Sequence, residues 1–367
     1  MDSNKENIYE DETHPSISHQ EELSPLSQEI SRRTFIGSSI LTGLGLAIGI
    51  PAFSTPFFKK KNGKKKFSFV FFTDSHIQPE LKAGEGFEQA INKINSLEPD
   101  FVISGGDLIM DTLGQNYERA NTLYDLYNQI SSKFKMPLYN TIGNHEHFGV
   151  YEKSGVEKSH PLFGKKMFME KIGKGKTYQS FDNEGWHFIL LDSVGITDDR
   201  KYIGEVGQEE MKWLEDDLKK TGEKTPIVIS THIPLFSMMT QFDKGSCEPN
   251  SRSLVITNGS EVAKLFYPYN VKLILQGHLH LQEEWLYKNK HFLTTGALCG
   301  EWWKGPHKGF PEGFTFIHCY EDSFDFEYMT YGWKAVEQPK KEISAPFDPD
   351  DDYNVCAAEE EKVLINV

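Results

Sequence analysis

The chain has 367 residues, of which 38% are hydrophobic and 13% aromatic, enough for one large α/β domain or two smaller ones and too apolar for global disorder. With 54 acidic and 39 basic residues its formal net charge is −15, which argues against binding to a nucleic-acid duplex, because that binding needs an excess of Lys and Arg. The four cysteines form no CxxC pair, so a cysteine-based zinc site is not expected and the disulfide pairing stays open.

The N-terminal segment carries the pattern of an export signal. Residues 1–30 are polar and without apolar periodicity, so we expect them to be disordered. Residues 31–58 begin with the pair Arg32 and Arg33 and continue into an apolar stretch that glycines interrupt. This arrangement resembles a twin-arginine signal, which implies the twin-arginine export machinery as a partner and a periplasmic or other extracytoplasmic location.

Two other interpretations of this segment stay open. Residues 35–58 also fit a plain membrane anchor or a buried helix with basic flanks. The small residues around Ser54 fit a cleavage site, whereas the Lys-rich linker of residues 59–66 fits the flank of an uncleaved anchor. The segment contains no cysteine, which excludes a lipid-modified cysteine there.

From residue 67 onward, short apolar runs alternate with longer segments whose apolar residues have helical spacing. In chain order they predict strand 67–73, helix 87–97, strand 101–104, helix 116–134, strand 138–142, a polar insertion at 148–176, strand 186–191, helix 209–220, strand 227–231, helix 260–267 and strand 271–275. Strands alone follow, at 284–287, 291–295, 314–319 and 324–328. The alternation predicts βαβ units with an added antiparallel sheet, in a domain over residues 67–335 before an acidic tail at 336–367.

A polar motif directly follows each of five predicted strands. Since ligands bind outside the carboxyl ends of strands in open α/β sheets, the five motifs should meet at one rim. Each side chain alone is weak evidence, because a single His or Asp after a strand is usually structural. The candidates are Asp74, His76, Asp107, Asn144, His232, His278 and His280.

The chemistry of this set indicates a metal centre. Carboxylate, amide and imidazole ligands together suit borderline divalent ions such as Mn, Fe, Zn or Co. No cysteine belongs to the set, so a soft-ligand site is not indicated. Seven ligands exceed what one catalytic ion needs, and a bridging carboxylate would hold two ions about 3.5–4 Å apart.

The motifs, in this order, resemble those of the calcineurin-like metallophosphoesterases. They are D-x-H at 74–76, G-D at 106–107, G-N-H-E at 143–146, a lone His at 232 and G-H-x-H at 277–280, within a match over about 67–330. The resemblance implies an α/β fold, a four-layer α/β/β/α sandwich of two mixed sheets with flanking helices. It also implies hydrolysis of small phosphomonoesters or phosphodiesters by a metal-bridging hydroxide at a dinuclear site.

The same resemblance assigns a role to each residue. Asp107 would bridge two metal ions, and His145 would be a catalytic residue that is not a ligand. Glu146 would orient His145 or a ligand, or else only cap a helix. The first ion would be held by Asp74, His76 and His280, and the second by Asn144, His232 and His278.

Two details refine the expectation. Purple acid phosphatases that use ferric iron have a Tyr ligand three residues after the bridging Asp, where this chain has Met110, so a coloured iron–tyrosinate centre is not expected. The loop after the last motif contains Trp302, Trp303 and His307, which would either wall a substrate pocket or, for the two Trp, belong to the core. A catalytically weak, metal-bound scaffold with the same fold is the alternative function, although none of the seven ligands is missing.

Overall fold

The computed structural model describes residues 64–336. The predictions for the export signal, for most of the Lys-rich linker and for the acidic tail fall outside this range. Within it, no helix is long and apolar enough to cross a membrane.

The described residues form thirteen strands and six α-helices. The strands are β1 Phe67–Phe72, β2 Phe101–Ser104, β3 Leu138–Asn140, β4 Gln179–Asn183, β5 Trp186–Leu190, β6 Val194–Ile196, β7 Tyr202–Gly204, β8 Ile227–Ser230, β9 Val271–Gln276, β10 Glu283–Tyr287, β11 Lys290–Thr294, β12 Gly313–Cys319 and β13 Phe324–Thr330. The helices are α1 Ala83–Leu97, α2 Tyr117–Ser131, α3 Lys166–Lys171, α4 Gln208–Thr221, α5 Met239–Lys244 and α6 Gly259–Phe266.

The strands form two large mixed sheets and a small ribbon of β6 and β7. Sheet I has the order β13-β12-β1-β2-β3, and sheet II has the order β10-β11-β9-β8-β5-β4. In sheet I, β1, β2 and β3 are parallel, while β12 and β13 add antiparallel pairs. In sheet II, β5, β8, β9 and β11 are parallel and the edge strands β4 and β10 are antiparallel. The predicted parallel core with added antiparallel strands is confirmed.

The alternating side chains of strand β1 pack sheet I against sheet II on one face and against helices on the other. Successive side chains of a strand point to opposite faces. Phe67, Phe69 and Phe71 are buried in a cluster with residues of sheet II, and the Phe69 and Phe188 rings lie 5.4 Å apart. Val70 and Phe72 belong instead to the cluster that contains the buried faces of α1 and α2.

A third cluster covers the other face of sheet II. Ile229 and Ile274 pack there with Leu214 of α4 and Phe266 of α6. Three apolar layers therefore separate four layers of secondary structure, which is the predicted α/β/β/α sandwich. Burying one such apolar side chain contributes about 1.5–3 kcal/mol, so all three layers contribute to the fold.

The polar insertion at 148–176 contains more order than the sequence predicts. It holds the short helix α3, and backbone hydrogen bonds join Phe148 and Gly164 in both directions. The guanidinium of Arg200 donates to the carbonyls of Gly149, Val150 and Val156. These contacts fasten the beginning of the insertion to the ribbon of β6 and β7, in agreement with a packed surface loop.

Candidate metal centre

The seven predicted ligands lie in the loops that follow β1, β2, β3, β8 and β9, all at the same edge of the two sheets. Five of them have left-handed backbone, with φ of 55° at Asp74, 40° at His76, 50° at Asp107, 71° at His278 and 53° at His280. Residues other than glycine seldom adopt this conformation, and such strain tends to cluster at functional sites. The turns orient these polar side chains toward one site.

One half of the site is formed by Asp74, His76 and His280. The Asp74 Oδ1 atom lies 3.3 Å from His280 Nε2 and 3.7 Å from His76 Nε2, and the two Nε2 atoms lie 3.0 Å apart. Asp74 Oδ2 accepts hydrogen bonds from the Thr73 hydroxyl and the His278 N–H. Asp74 Oδ1 is buried without a hydrogen-bond partner among the described residues, as expected of an atom that ligates a cation.

The other half is formed by Asn144, His232 and His278. His232 Nε2 lies 3.1 Å from Asn144 Oδ1 and 3.0 Å from Asp107 Oδ2. One ring nitrogen of His278 belongs to a metal-capable group with Asp107 and His232, whose ligand atoms lie within 4.8 Å of one another. Its Nδ1 has no hydrogen-bond partner within the described range.

Asp107 lies between the two halves. Its Oδ2 atom is 3.0 Å from His232 Nε2 and 3.8 Å from His76 Nε2, so one oxygen faces both sets of ligands. Its Oδ1 accepts the backbone N–H of His145 at 3.0 Å, which fixes the orientation of the carboxylate. A Cβ on Gly143 would lie 2.2 Å from Oδ1, so the close approach of this loop requires glycine.

Backbone carbonyls fix the ring nitrogen that three of the four predicted histidine ligands present. His232 Nδ1 donates to Gly105, His280 Nδ1 donates to Gly300, and His278 Nε2 donates to Ser253. Because a carbonyl only accepts, the opposite nitrogen of each neutral ring keeps its lone pair for the site. Such outer contacts orient the histidines of metal centres in the same way.

The electrostatics of the cluster match a cation site. Burial lowers the pKa of His76 to about 4 and that of His278 to about 3, which keeps both rings neutral. Burial would raise the pKa of Asp107, but the neighbouring His232 and His145 outweigh it and hold the carboxyl ionised. Burial likewise opposes the charged form of His232, yet Asp107 raises its pKa to about 9. The buried carboxylates thus attract positive charge to this position.

Glu146 fastens the bridging loop. Its Oε1 accepts the backbone N–H groups of Leu108 and Ile109, and its Oε2 accepts those of Asp107 and Gly143. Burial, reinforced by Asp107, raises the pKa of Glu146 to about 7, while the Gly143 N–H opposes that rise. The side chain holds the Asp107 loop against the Gly143 loop and caps no helix.

His145, which is not one of the seven predicted ligands, lies beside the Asp107 carboxylate and forms a metal-capable group with His76 and Asp107. Its Nε2 is 3.7 Å from Asp107 Oδ2, and its Nδ1 contacts the Met110 carbonyl. Burial would lower its pKa, but Asp107, Asp111 and Glu146 raise it above the ordinary value. The ring, 15% exposed, is therefore poised to carry a proton at the mouth of the cluster.

The loop after β11 separates the three predicted pocket residues. The Trp302 ring is half-buried, with its centroid 4.8 Å from that of His280 and 6.0 Å from that of His76. The His307 ring lies 5.6 Å from His280. Trp303 is fully buried and donates from Nε1 to the carbonyls of Ser75 and His76, so of the two alternatives for this residue it belongs to the core. Its ring fills the space above Gly86, where a Cβ would lie 2.2 Å from it.

Cys299 is the residue that the sequence analysis missed. One ring nitrogen of His76, one of His280 and the Cys299 Sγ lie within 4.8 Å of one another. The available signal was its position, because Cys299 follows a strand just as the other candidates do. The cluster as a whole fits divalent cations, since carboxylate, amide and imidazole atoms converge there. Within the described residues, Asp74 Oδ1, His76 Nδ1 and His278 Nδ1 are buried without a hydrogen-bond partner.

Comparison with known proteins agrees with this geometry. Residues 67–282 match the family described as calcineurin-like phosphoesterase. A 3′,5′-cyclic-nucleotide phosphodiesterase of Nostoc sp. is 26% identical, over 65% of this chain and 80% of that protein. A 3′,5′-cyclic adenosine monophosphate phosphodiesterase of Escherichia coli is 20% identical, over 75% of this chain and 86% of that protein. The crystal structure of a dimetal phosphatase from Danio rerio superposes with a TM-score of 0.52 at 12% identity, over 74% of this chain and 98% of that one.

Proposed function

The chain belongs to the calcineurin-like phosphoesterase family, and from this premise we propose that it hydrolyses phosphomonoesters or phosphodiesters at a dinuclear metal centre. One observation carries the proposal: Asp107 Oδ2 lies 3.8 Å from His76 Nε2 and 3.0 Å from His232 Nε2. Asp107 thus belongs to two groups of potential ligand atoms, one with His76 and His145 and the other with His232 and His278. Two divalent ions bound there would supply a nucleophile from water at neutral pH and would neutralise charge on phosphoester oxygens.

The protein side chains divide the remaining work. Asp74, His76 and His280 would hold one ion, and Asn144, His232 and His278 the other, with Asp107 shared. Mn, Fe, Zn and Co all remain suitable for this donor set. The carbonyls of Gly105, Ser253 and Gly300 keep three of the imidazoles in the required orientation.

His145 is suited to the leaving group. Neighbouring carboxylates raise its pKa above the ordinary value, which favours the protonated ring, and its Nε2 lies beside the Asp107 carboxylate. A protonated imidazole there donates a hydrogen bond to a phosphoryl oxygen or gives its proton to the departing oxygen. General acid catalysis of this kind contributes about 10²–10⁴-fold in rate.

Trp302 and His307 form the substrate-facing wall next to the His280 half of the site. A half-buried indole ring beside the ligands offers a flat apolar surface for a base, a sugar or an aromatic group. The names of the relatives above make cyclic nucleotides one class to test beside simple phosphomonoesters.

The test is hydrolysis of p-nitrophenyl phosphate, bis-p-nitrophenyl phosphate and a cyclic nucleotide by protein loaded with Mn²⁺. We expect turnover of at least one, its loss after chelation and its return when Mn²⁺ is restored. Absence of turnover of all three in metal-replete protein would contradict the proposed activity and would favour a metal-bound scaffold.

We also propose that the enzyme works outside the cytoplasm, after export by the twin-arginine route. The support is the sequence alone, with Arg32 and Arg33 ahead of the glycine-interrupted apolar stretch. Replacement of both Arg by Lys should keep a reporter fused to residues 1–66 in the cytoplasm, whereas the unaltered segment should export it. Equal distribution of the two fusions would contradict the proposal.

A further inference from the structure

Cys299 lies against the half-site formed by Asp74, His76 and His280. Its Sγ is within 4.8 Å of one ring nitrogen of each histidine, and the residue is fully buried. Zinc binds sulfur at about 2.3 Å and nitrogen at about 2.1 Å, so a shift on the order of 1 Å would bring these atoms around one ion.

Three ties hold the Cys299 loop in this place. The backbone N–H of Leu298 donates to the backbone carbonyl of Thr73 at 2.9 Å. The backbone N–H of Cys299 donates to the backbone carbonyl of Asp74 at 3.3 Å. The Trp303 indole adds its bonds to the carbonyls of Ser75 and His76. The approach of the sulfur to His76 is therefore built into the backbone of both loops.

The surroundings of the sulfur suit a metal ligand. The thiol makes one weak hydrogen bond, to the Gly300 carbonyl at 3.6 Å, and that carbonyl also accepts from His280 Nδ1 at 2.7 Å. Burial, reinforced by Asp74, raises the pKa of the thiol well above its usual value, and backbone hydrogen bonds from Trp302 and Trp303 offset only part of this rise. In the same cluster, the buried His76 Nδ1 has no hydrogen-bond partner in the described part of the chain.

We propose that Cys299 is an extra sulfur ligand which the half-site of Asp74, His76 and His280 recruits for thiophilic divalent ions, so that Cd²⁺ and Zn²⁺ bind there more tightly than oxygen-preferring Mn²⁺. Soft thiolate ligands favour such ions. When the metal ion binds, the S–H bond breaks, the sulfur lone pair forms a sulfur–metal bond, and the proton passes to water. This inference rests on the proposed metal centre and deepens it.

The test measures metal binding without substrate. In a background in which Cys247 and Cys356 are replaced by Ser, metal-free protein is titrated with Cd²⁺ and separately with Mn²⁺. We expect one equivalent of Cd²⁺ to give a near-ultraviolet thiolate-to-cadmium absorption band that Cys299→Ser abolishes. Cys299→Ser should lower Cd²⁺ affinity by about tenfold to a hundredfold and leave Mn²⁺ affinity unchanged, on the scale of losing a supporting contact in a metal site.

The matched control is Cys319→Ser, since Cys319 is equally buried but lies on β12 between the sheets. It should keep the band. X-ray absorption at the cadmium edge of the background protein needs no Cys299 variant, and it should detect one sulfur neighbour. A spectrum with only nitrogen and oxygen neighbours, or a band that survives Cys299→Ser, would overturn the inference. Failure of the metal centre itself would appear separately, as no Mn²⁺ binding at all.

Discussion

The two sheets bring different chemistry to the same edge of the molecule. Loops after sheet I supply both carboxylates, the amide and one imidazole, whereas loops after sheet II supply three imidazoles. Neither sheet completes a half-site. The first half-site takes His280 from sheet II, and the second takes Asn144 from sheet I. The packing of one sheet on the other therefore creates the centre, and no local motif does so alone.

The sheets also differ in how their ligands are held. The Asp107 carboxylate of sheet I is fixed by the backbone N–H of His145, and the Asp107 backbone N–H donates to Glu146. The histidines of sheet II are fixed through their rings by backbone carbonyls. The carboxylate is thus held by a hydrogen-bond donor, and the imidazole rings are held by hydrogen-bond acceptors. In both cases the carboxylate oxygen or ring nitrogen that a cation needs stays available.

Replacement of Asp107, the proposed shared ligand, should have the largest effect on metal binding and activity. Asp107→Asn removes the charge that faces both half-sites, so we expect loss of both ions and a fall in kcat/KM of at least about a thousandfold, or about 4 kcal/mol. The sheet II control, His232→Ala, should lose one ion and keep the other. Metal analysis with steady-state kinetics measures both, and two ions retained by Asp107→Asn would refute the shared role.

Removal of His145, the proposed general acid, should separate chemistry from metal binding. His145→Ala should lower kcat by about 10²–10⁴-fold, because the proposed role of the ring is to protonate the leaving oxygen. Its metal content should match the unaltered protein, since its Nε2 lies beside the ligand Asp107 without being one of the seven ligands. Loss of an ion in this variant would show that His145 is a ligand.

Replacement of the two adjacent tryptophans should affect different properties, stability for Trp303 and substrate binding for Trp302. Trp303→Ala should lower the free energy of unfolding by about 3–5 kcal/mol, the cost of emptying a buried aromatic site. Trp302→Ala should leave stability nearly unchanged but raise KM for aromatic esters relative to alkyl esters. Denaturant unfolding and paired kinetics measure these effects, and equal destabilisation by both variants would remove the assignment of Trp302 to the pocket wall.

The smallest effect should come from the end of sheet II far from the candidate metal centre. Burial would lower the pKa of His187 at the start of β5, but hydrogen bonds with Asp217 and Asp182 raise it. Because the pKa of His187 is higher in the folded protein than in the unfolded chain, its protonated ring stabilises the fold. This stabilisation is complete below the unfolded pKa of about 6.5 and is lost as the pH rises through the folded pKa.

His187→Gln should therefore cost more stability at about pH 5 than at about pH 9. Because one partner is exposed, the difference should stay below about 1 kcal/mol. Chemical denaturation at the two pH values measures it, with metal content as the control. A larger loss at the higher pH would contradict the assigned charge state.

The sequence predicted every strand of the two large sheets except β4, and the convergence of the candidate ligands, because buried strands and helices have clear periodicities. It did not predict α3, α5, β4, β6 or β7, which are short and carry no such period. Helix α1 begins at Ala83, earlier than the predicted residue 87, because its first turn packs beneath Trp303 through Gly86. The nearness of Cys299 was also missed, since it depends on the pairing of β11 with β9.

The most direct test of the shared centre is anomalous X-ray scattering from crystals loaded with Mn²⁺. We expect two peaks about 3.5–4 Å apart at the strand ends, both within bonding distance of the Asp107 carboxylate. The first peak should lie among Asp74, His76 and His280, and the second among Asn144, His232 and His278. A single peak, or two peaks of which only one touches Asp107, would contradict a centre shared between the two sheets.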